Sequence, residues 1–394
     1  MRYDNNLRYA VKMLAAYKGT QPLSIWLKEY FRNNKQMGSS DRRIISEMMY
    51  GYFRLGKSLQ HIPAEQKILT ALFLINEESH PVLLQLRPEW NKKIADSLAS
   101  KLTLLKHEHG MEISGKIFPY TDELSDGVDA KLYEQSFLIQ PKLFIRIRPG
   151  KHSAVLQKLN TAKINYEELS ADTLSFSNRT KLDILNLDDE AVVQDFNSQR
   201  TTEILTSSFH PTSGQKVWDC CAASGGKSIL LSDKFPNLQL TVSDKRKLIL
   251  DTLSLRLKKA GITNYTSFVL DLSNHNMKLP ADFQDPFDLL VIDAPCTGAG
   301  TWSRTPEQLF YFNPQAIEKY ALLQKQVVEN VVPYLSPGGL ILYITCSVFR
   351  KENEEMTQYI KGYLKYKEIH SDILAGYEIR ADSMYVALFA KPKL

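Results

Sequence analysis

The sequence predicts an α/β protein whose C-terminal part is an open, mainly parallel sheet with helices on both faces. A small α/β unit and an all-helical N-terminal part precede it. Three observations lead there. From about residue 201, strand-length apolar runs alternate with helical segments. Between 138 and 200, one run alternates apolar and basic residues as a half-exposed strand does. Before about residue 130, apolar residues recur at three- and four-residue spacing with no competing alternation. A chain of 394 residues is also too long for one ordinary core.

The helical part, 1–130, is carried by RYAVKMLAAYK and RRIISEMMYGYFRL. The second helix has a start signal at Ser39 or Ser40, with Asp41 favourable in its first turn. The stretch FPYTDELSDGVDAK reads as the loop that closes this region. In the 138–200 unit, KLFIRIRP is a strand, HSAVLQKLNTA a helix, and YEELSA and TLSFS further strands. Lys142, Arg146, Arg148 and Lys151 occur there without an intervening acid. They form either a solvated strand face or, with Arg304 further on, contacts to RNA phosphates. In the 201–394 part, KVWDCCA, LQLTVSD, YTSFVLD, FDLLVIDAP and LILYITCS are the strands. RKLILDTLSLRLKKAG and AIEKYALLQKQVVENVVPYL are helices between them.

Composition narrows the class. Hydrophobic residues make up 43% and charged residues 24%, a globular balance. No apolar run approaches the roughly 20 residues of a membrane span, and the N-terminus lacks a secretory pattern. A cytoplasmic protein is expected. Cys220, Cys221, Cys296 and Cys346 fit neither a disulfide framework nor a zinc site, so no metal is expected and the thiols are free. The net charge of +5 permits an anionic partner without requiring one.

Ligands of doubly wound sheets bind beyond the carboxyl ends of the strands, and reactive residues gather at those ends here. The first strand stops at Asp219 and opens into CCAASGGKS, where Gly225 and Gly226 allow close backbone approach. A Walker loop needs glycine where this chain has Cys221, and the dinucleotide pattern GxGxxG is absent. The second strand ends at Asp244, placed to bind ribose hydroxyls, and the third at Asp271, on the adenine side. Each aspartate alone is more often a cap or a surface residue. Three acid-ended strands after a glycine loop without a phosphate motif point to S-adenosylmethionine.

The fourth strand runs into Asp293-Ala-Pro-Cys296 and the fifth into Thr345-Cys346-Ser347. Neighbouring strands lie roughly 4.8 Å apart, so both thiols can flank one substrate. A lone strand-end cysteine is usually structural; two at adjacent ends suit one reaction. Carbon 5 of cytosine is a poor nucleophile until a thiolate adds to carbon 6. The adduct must then lose the carbon-5 proton and the thiol. One thiol can add and the other assist release. The Asp293 carboxyl can hydrogen-bond ring nitrogen 3 and the exocyclic amine.

At these residues the chain resembles the RsmB/Sun family of RNA cytosine-5 methyltransferases. The resemblance rests on VQDFNSQ, DCCAASGGKS, DAPCTGAGT, TCSVFRKENEE, Gln324, SPGGLILY and ADSMYVALFAK. GSSDRRIISEMMYGYFRL is similar to the NusB-like RNA-binding domain of members acting on ribosomal RNA, and KLFIRIRP to their small α/β domain. The resemblance implies a Rossmann-like class I methyltransferase fold with Cys346 as nucleophile and Cys296 serving release. It also implies cofactor contacts from Cys221, Ala222, Ala223, Ser224, Gly225, Gly226 and Lys227, and from Asp244, Asp271 and Asp293. Departures from the family pattern are Ser224 for proline, Ile249 for arginine, Arg256 for asparagine, and Ser383 and Met384 in the late motif.

A DNA cytosine methyltransferase would use the cysteine after proline as nucleophile, and an amino-group methyltransferase would show NPPY or DPPY in place of DAPC. A catalytically silent ribosome-assembly scaffold would not need both cysteines and the intact glycine loop. The expected partner is RNA, ribosomal rather than transfer RNA, with no obligate protein partner indicated.

Overall fold

The computed structural model describes residues 2–210, 214–280, 283 and 285–393. Two compact units emerge. The first comprises Met1–Asp122, Asp129–Gln140 and Thr301–Asn313; the second comprises Glu123–Val128, Pro141–Gly300 and Pro314–Leu394. No helix among the described residues is long and apolar enough to cross a membrane.

The first unit is helical. Helices Arg2–Ala16, Leu23–Asn33, Ser39–Arg54 and Ala64–Ile75 surround a core that includes Met13, Leu27, Ile45, Met49, Leu72 and Phe73. The helix start at Ser39 agrees with the sequence signal, although Gly38 occupies the cap position and no side chain caps it. Thr301–Asn313 follows the first cysteine motif in sequence, yet it packs in this unit. Glu307 accepts the Leu23 N–H at 3.1 Å, which satisfies a free donor at that helix start. Lys57 Nζ donates to the Phe310 carbonyl at 2.7 Å and the Phe312 carbonyl at 3.2 Å. Buried contacts, not proximity in sequence, assign the segment.

The second unit holds two sheets. β1 (Leu143–Ile147), β2 (Glu167–Ser170), β3 (Thr173–Phe176) and β4 (Ala191–Val193) form an antiparallel sheet in the order β2-β3-β1-β4. Val155 and Leu159 of the helix His152–Thr161 pack on its Ile145, Ile147, Leu174 and Phe176.

One expectation about β1 needs correction. Its basic side is not wet: Arg146 is only 3% exposed. Arg146 Nη1 donates to Asp233 Oδ2 at 2.7 Å, and Arg148 donates to Oδ1 from Nη2 at 2.8 Å and to Oδ2 from Nε at 3.2 Å. A buried carboxylate needs such partners, so Asp233 draws both guanidiniums away from solvent. The two arginines fasten the small sheet to the helix Gly226–Lys234 instead of facing phosphates. Lys142 pairs with Glu167, and Lys151 with Asp189 at 3.2 Å, both near the surface.

The large sheet contains β5 (Lys216–Asp219), β6 (Gln239–Asp244), β7 (Tyr265–Val269), β8 (Phe287–Asp293), β9 (Leu335–Thr345), β10 (Lys367–Leu374) and β11 (Met384–Ala390). Its order is β10-β11-β9-β8-β5-β6-β7. β5 to β9 are parallel, and β11 and β10 complete the edge antiparallel. The central strands are buried on both faces, as parallel strands require. Leu290, Ile292, Ile341 and Tyr343 enter one core, while Leu289, Val291, Leu340, Leu342 and Ile344 enter the other. Because these strands run parallel, the carboxyl ends of β5, β6, β8 and β9 share one rim, where the site forms.

Candidate active site

β8 and β9 are neighbours in register, with Asp293 opposite Ile344. Each strand ends in a turn carrying a cysteine. The turns are fastened together by Ala294 N–H to Ile344 O and Gly300 N–H to Cys346 O, both 2.9 Å. Gly300 is required by space: a Cβ there would lie 2.0 Å from the Ser383 carbonyl oxygen. The result brings the Cys296 and Cys346 sulfurs to 3.2 Å, with both cysteines free and half-buried.

A residue overlooked in the sequence holds this arrangement. Glu352 is buried and accepts from Thr297 N–H at 2.8 Å, Thr297 Oγ1 at 2.6 Å, Gln324 Nε2 at 3.2 Å, and the Ser347 hydroxyl. Thr297 follows Cys296 and Ser347 follows Cys346, so one carboxyl group ties both cysteine turns. Gln324 also donates to the Pro295 carbonyl at 3.0 Å. Burial pushes the Glu352 carboxyl above its usual value, although its hydrogen bonds oppose the shift. The one sequence signal was the place of Glu352 within TCSVFRKENEE.

The hydrogen bond with Cys346, followed by burial and the nearby Glu352 charge, holds the Cys296 thiol well above its ordinary value. Lys227 lies within electrostatic range of Cys346 and forms an ion pair with Asp293 at 2.7 Å. Burial works against the ammonium, but Asp293 outweighs it and keeps Lys227 charged.

The glycine loop leaves β5 beside this group. Ala223 has φ +45° and Gly225 φ +83°, and a Cβ on Gly225 would press Leu253 at 3.0 Å. Ala222 N–H donates to Ser243 O at 2.9 Å, which holds the loop against β6. Asp219, the acid that ends β5, is wholly buried. Its Oδ2 accepts from Ser228 at 2.6 Å while Oδ1 has no hydrogen-bond partner, and burial pushes the carboxyl up to about 7. Cys221, in the loop itself, is held well above the ordinary thiol range by burial.

At the end of β6, Asp244 accepts from Arg246 N–H at 2.9 Å, Nε at 2.9 Å and Nη2 at 2.8 Å. Burial opposes its charge, yet these bonds outweigh burial and keep Asp244 below the usual carboxylate range. Thus the arginine of this region is Arg246, at a position the sequence reading passed over, rather than residue 249. Asp271 lies beyond the end of β7, exposed, and accepts from Ser273 N–H at 3.0 Å and Oγ at 2.6 Å. The Ser273 hydroxyl bond, first among these, lowers its carboxyl. Arg304 belongs to the helical unit. No group of three or more His, Cys, Asp or Glu that could hold a metal occurs among the described residues.

The family description 16S rRNA methyltransferase RsmB/F matches residues 206–376, which include the glycine loop, both cysteine turns and Glu352. Residues 206–376 form a domain of that family. The chain is similar to ribosomal RNA small subunit methyltransferase B of Citrobacter koseri, 28% identical over 55% of this chain and 50% of that protein. The protein of the same name from Xanthomonas campestris is 33% identical over 41% of this chain and 36% of its own length. The chain therefore spans about half or less of the length of these relatives. In fold it resembles the crystal structure of PH0851, with TM-score 0.68, 18% identity and 97% coverage of both chains. It also resembles NSun6 from Pyrococcus horikoshii with SFG, with TM-score 0.56, 15% identity, and 64% and 91% coverage of this chain and that one.

The RsmB/F domain is a methyltransferase domain whose cofactor is S-adenosylmethionine. The residues present fit that group. The positive φ of Gly225 and the Leu253 side chain 3.0 Å from a Cβ position favour glycine in the loop, Asp219 keeps an unpartnered buried oxygen, and Asp244 stands as a charged acceptor at the next strand end.

Proposed function

We propose that the chain methylates carbon 5 of a cytosine in RNA, with small-subunit ribosomal RNA as the target. The observation that carries the reading is the pair of sulfurs 3.2 Å apart beside the Lys227–Asp293 ion pair. In this reading Cys346 loses its proton to solvent and its thiolate forms a bond to carbon 6. Lys227 favours negative charge there, while Cys296, held as a thiol, does not compete at that stage. The Asp293 carboxylate orients the ring by accepting from the exocyclic amine. The cofactor, when bound, supplies an electrophilic methyl group from its sulfonium. Cys296 then gives its thiol proton to the departing Cys346 sulfur, 3.2 Å away, and as the resulting thiolate takes the carbon-5 proton; the Cys346–carbon 6 bond breaks, the ring double bond returns and both thiols are restored. Cys221 through Lys227, with Asp244 and Asp271, hold the cofactor side.

The ribosomal target is supported by what the relatives are called and by the resemblance of GSSDRRIISEMMYGYFRL to NusB-like domains. In this reading RNA contact falls to the helical part and the small antiparallel sheet, with Lys142 and Lys151 as near-surface cations. Ribosomal RNA places the protein in the cytoplasm. Bisulfite sequencing of RNA from a strain lacking this gene tests the target. The expected result is loss of one methylated cytosine in the small-subunit RNA. An unchanged ribosomal pattern with a cytosine lost from transfer RNA overturns the target, and no change in either overturns the reaction.

A further inference from the structure

Two departures from the RsmB/Sun pattern, Ser224 and Arg256, meet in the structure. Arg256 Nη1 donates to the Ser224 carbonyl at 2.8 Å and to the Ser224 hydroxyl at 2.7 Å. The backbone around Ser224 is one that few residues adopt: Ala223 before it and Gly225 after it both hold positive φ. A left-handed non-glycine residue persists where surrounding contacts over-determine it. Arg256 supplies such a contact from the helix Lys247–Lys259, which also packs Leu253 beneath Gly225. Charged donors make the stronger hydrogen bonds, and a partly buried guanidinium is shielded from competing water.

We propose that Arg256 and Ser224 act as a clamp that presets the glycine loop for S-adenosylmethionine, doing with two hydrogen bonds what a proline does by restricting the backbone. Arg256 is a positioning residue in this arrangement. The proposal rests on the cofactor assignment above and adds the device that holds this chain's loop ready. Because preorganisation acts on binding, its loss appears in cofactor affinity and leaves the bond-making residues untouched.

The test compares wild type, Arg256→Ala, Arg256→Lys, and Arg256→Ala combined with Ser224→Pro. Calorimetric titration with S-adenosylmethionine and amide hydrogen exchange of the cofactor-free proteins are both measured. Arg256→Ala should raise the Kd about tenfold or more, the loss of one charge-assisted contact. It should speed exchange at Gly225 and Gly226, while kcat at saturating cofactor stays within about threefold. Arg256→Lys falls between. Adding Ser224→Pro should return affinity and exchange most of the way to wild type, which a general loss of stability would not allow. Wild-type affinity and exchange in Arg256→Ala, or no recovery with Ser224→Pro, overturns the clamp. If the wild type does not bind S-adenosylmethionine, the cofactor assignment fails, and the exchange rates still decide for or against the clamp.

Discussion

Lys227 and Asp293 are joined at 2.7 Å, the lysine from the first turn after the glycine loop and the aspartate from the end of β8. Their side chains are only 10% and 27% exposed, so water does little to screen either charge. The pair therefore links the cofactor loop to the cysteine pocket. Replacing Lys227 by methionine leaves the Asp293 carboxylate poorly solvated without its cation. Breaking such a pair costs about 3 kcal/mol. We expect Lys227→Met to lower kcat at least about a hundredfold, through Asp293 and the loss of positive charge near Cys346. Measurement of kcat and chemical denaturation together checks this. Activity near wild type would remove the ion pair from the account.

Glu352 serves as acceptor for donors flanking both cysteines. Glu352→Ala leaves the Thr297 N–H and hydroxyl, the Ser347 hydroxyl and Gln324 to find other partners in a buried place. Each unsatisfied group costs about 1–3 kcal/mol. The expected outcome is a marked loss of stability and slower alkylation-protected turnover, with cofactor Kd unchanged. Glu352→Gln, which keeps an acceptor, should recover much of both. If Glu352→Ala turns over normally, the two turns hold their sulfurs without it.

Asp219 gives a signed pH dependence. Its folded-state pKa is raised to about 7 from the ordinary 3.8. The native state thus retains a proton that the unfolded state has lost between those values. The stability Asp219 contributes is full below pH 4 and falls as pH rises toward 7. Asp219→Asn removes this titration. Relative to wild type, the variant should gain stability between pH 4.5 and pH 7.5, read from denaturation midpoints on one buffer series. A difference that does not vary with pH contradicts the assignment.

Arg146 and Lys151 should separate cleanly. Asp233→Ala leaves Arg146 and Arg148 without their shared carboxylate and should destabilise by about 3–5 kcal/mol. Lys151→Ala should leave stability unchanged and reduce the salt dependence of RNA binding by about one phosphate contact. Titrations at several salt concentrations decide this; an unaltered slope in Lys151→Ala removes that residue from the RNA surface.

The closeness of the two cysteines was readable from the sequence because it follows from strand neighbours. Cys296 and Cys346 each follow an apolar run, and adjacent parallel strands deliver their ends to one rim. Asp244 was readable for the same reason. What escaped depends on contacts distant in sequence. Asp233, the partner of Arg148, is 85 residues away, and an alternating strand looks the same whether its basic side meets water or a buried acid. Glu352 lay inside a recognised motif, but its link to Thr297 spans 55 residues and needs both turns in place. The recruitment of Thr301–Asn313 into the helical unit turns on Glu307 and Lys57, which no periodicity signals. β10 and β11 were unassigned because an antiparallel edge breaks the strand–helix rhythm.

The most direct measurement follows the sulfur–carbon bond itself. Cys296→Ala is incubated with S-adenosylmethionine and substrate RNA, then run on a denaturing gel beside Cys346→Ala and the double variant. The account predicts a covalent protein–RNA band in Cys296→Ala alone, with neither band nor methyl transfer wherever Cys346 is missing. Methylation by Cys346→Ala, or no band from Cys296→Ala while its Cys346 remains reactive, would contradict it.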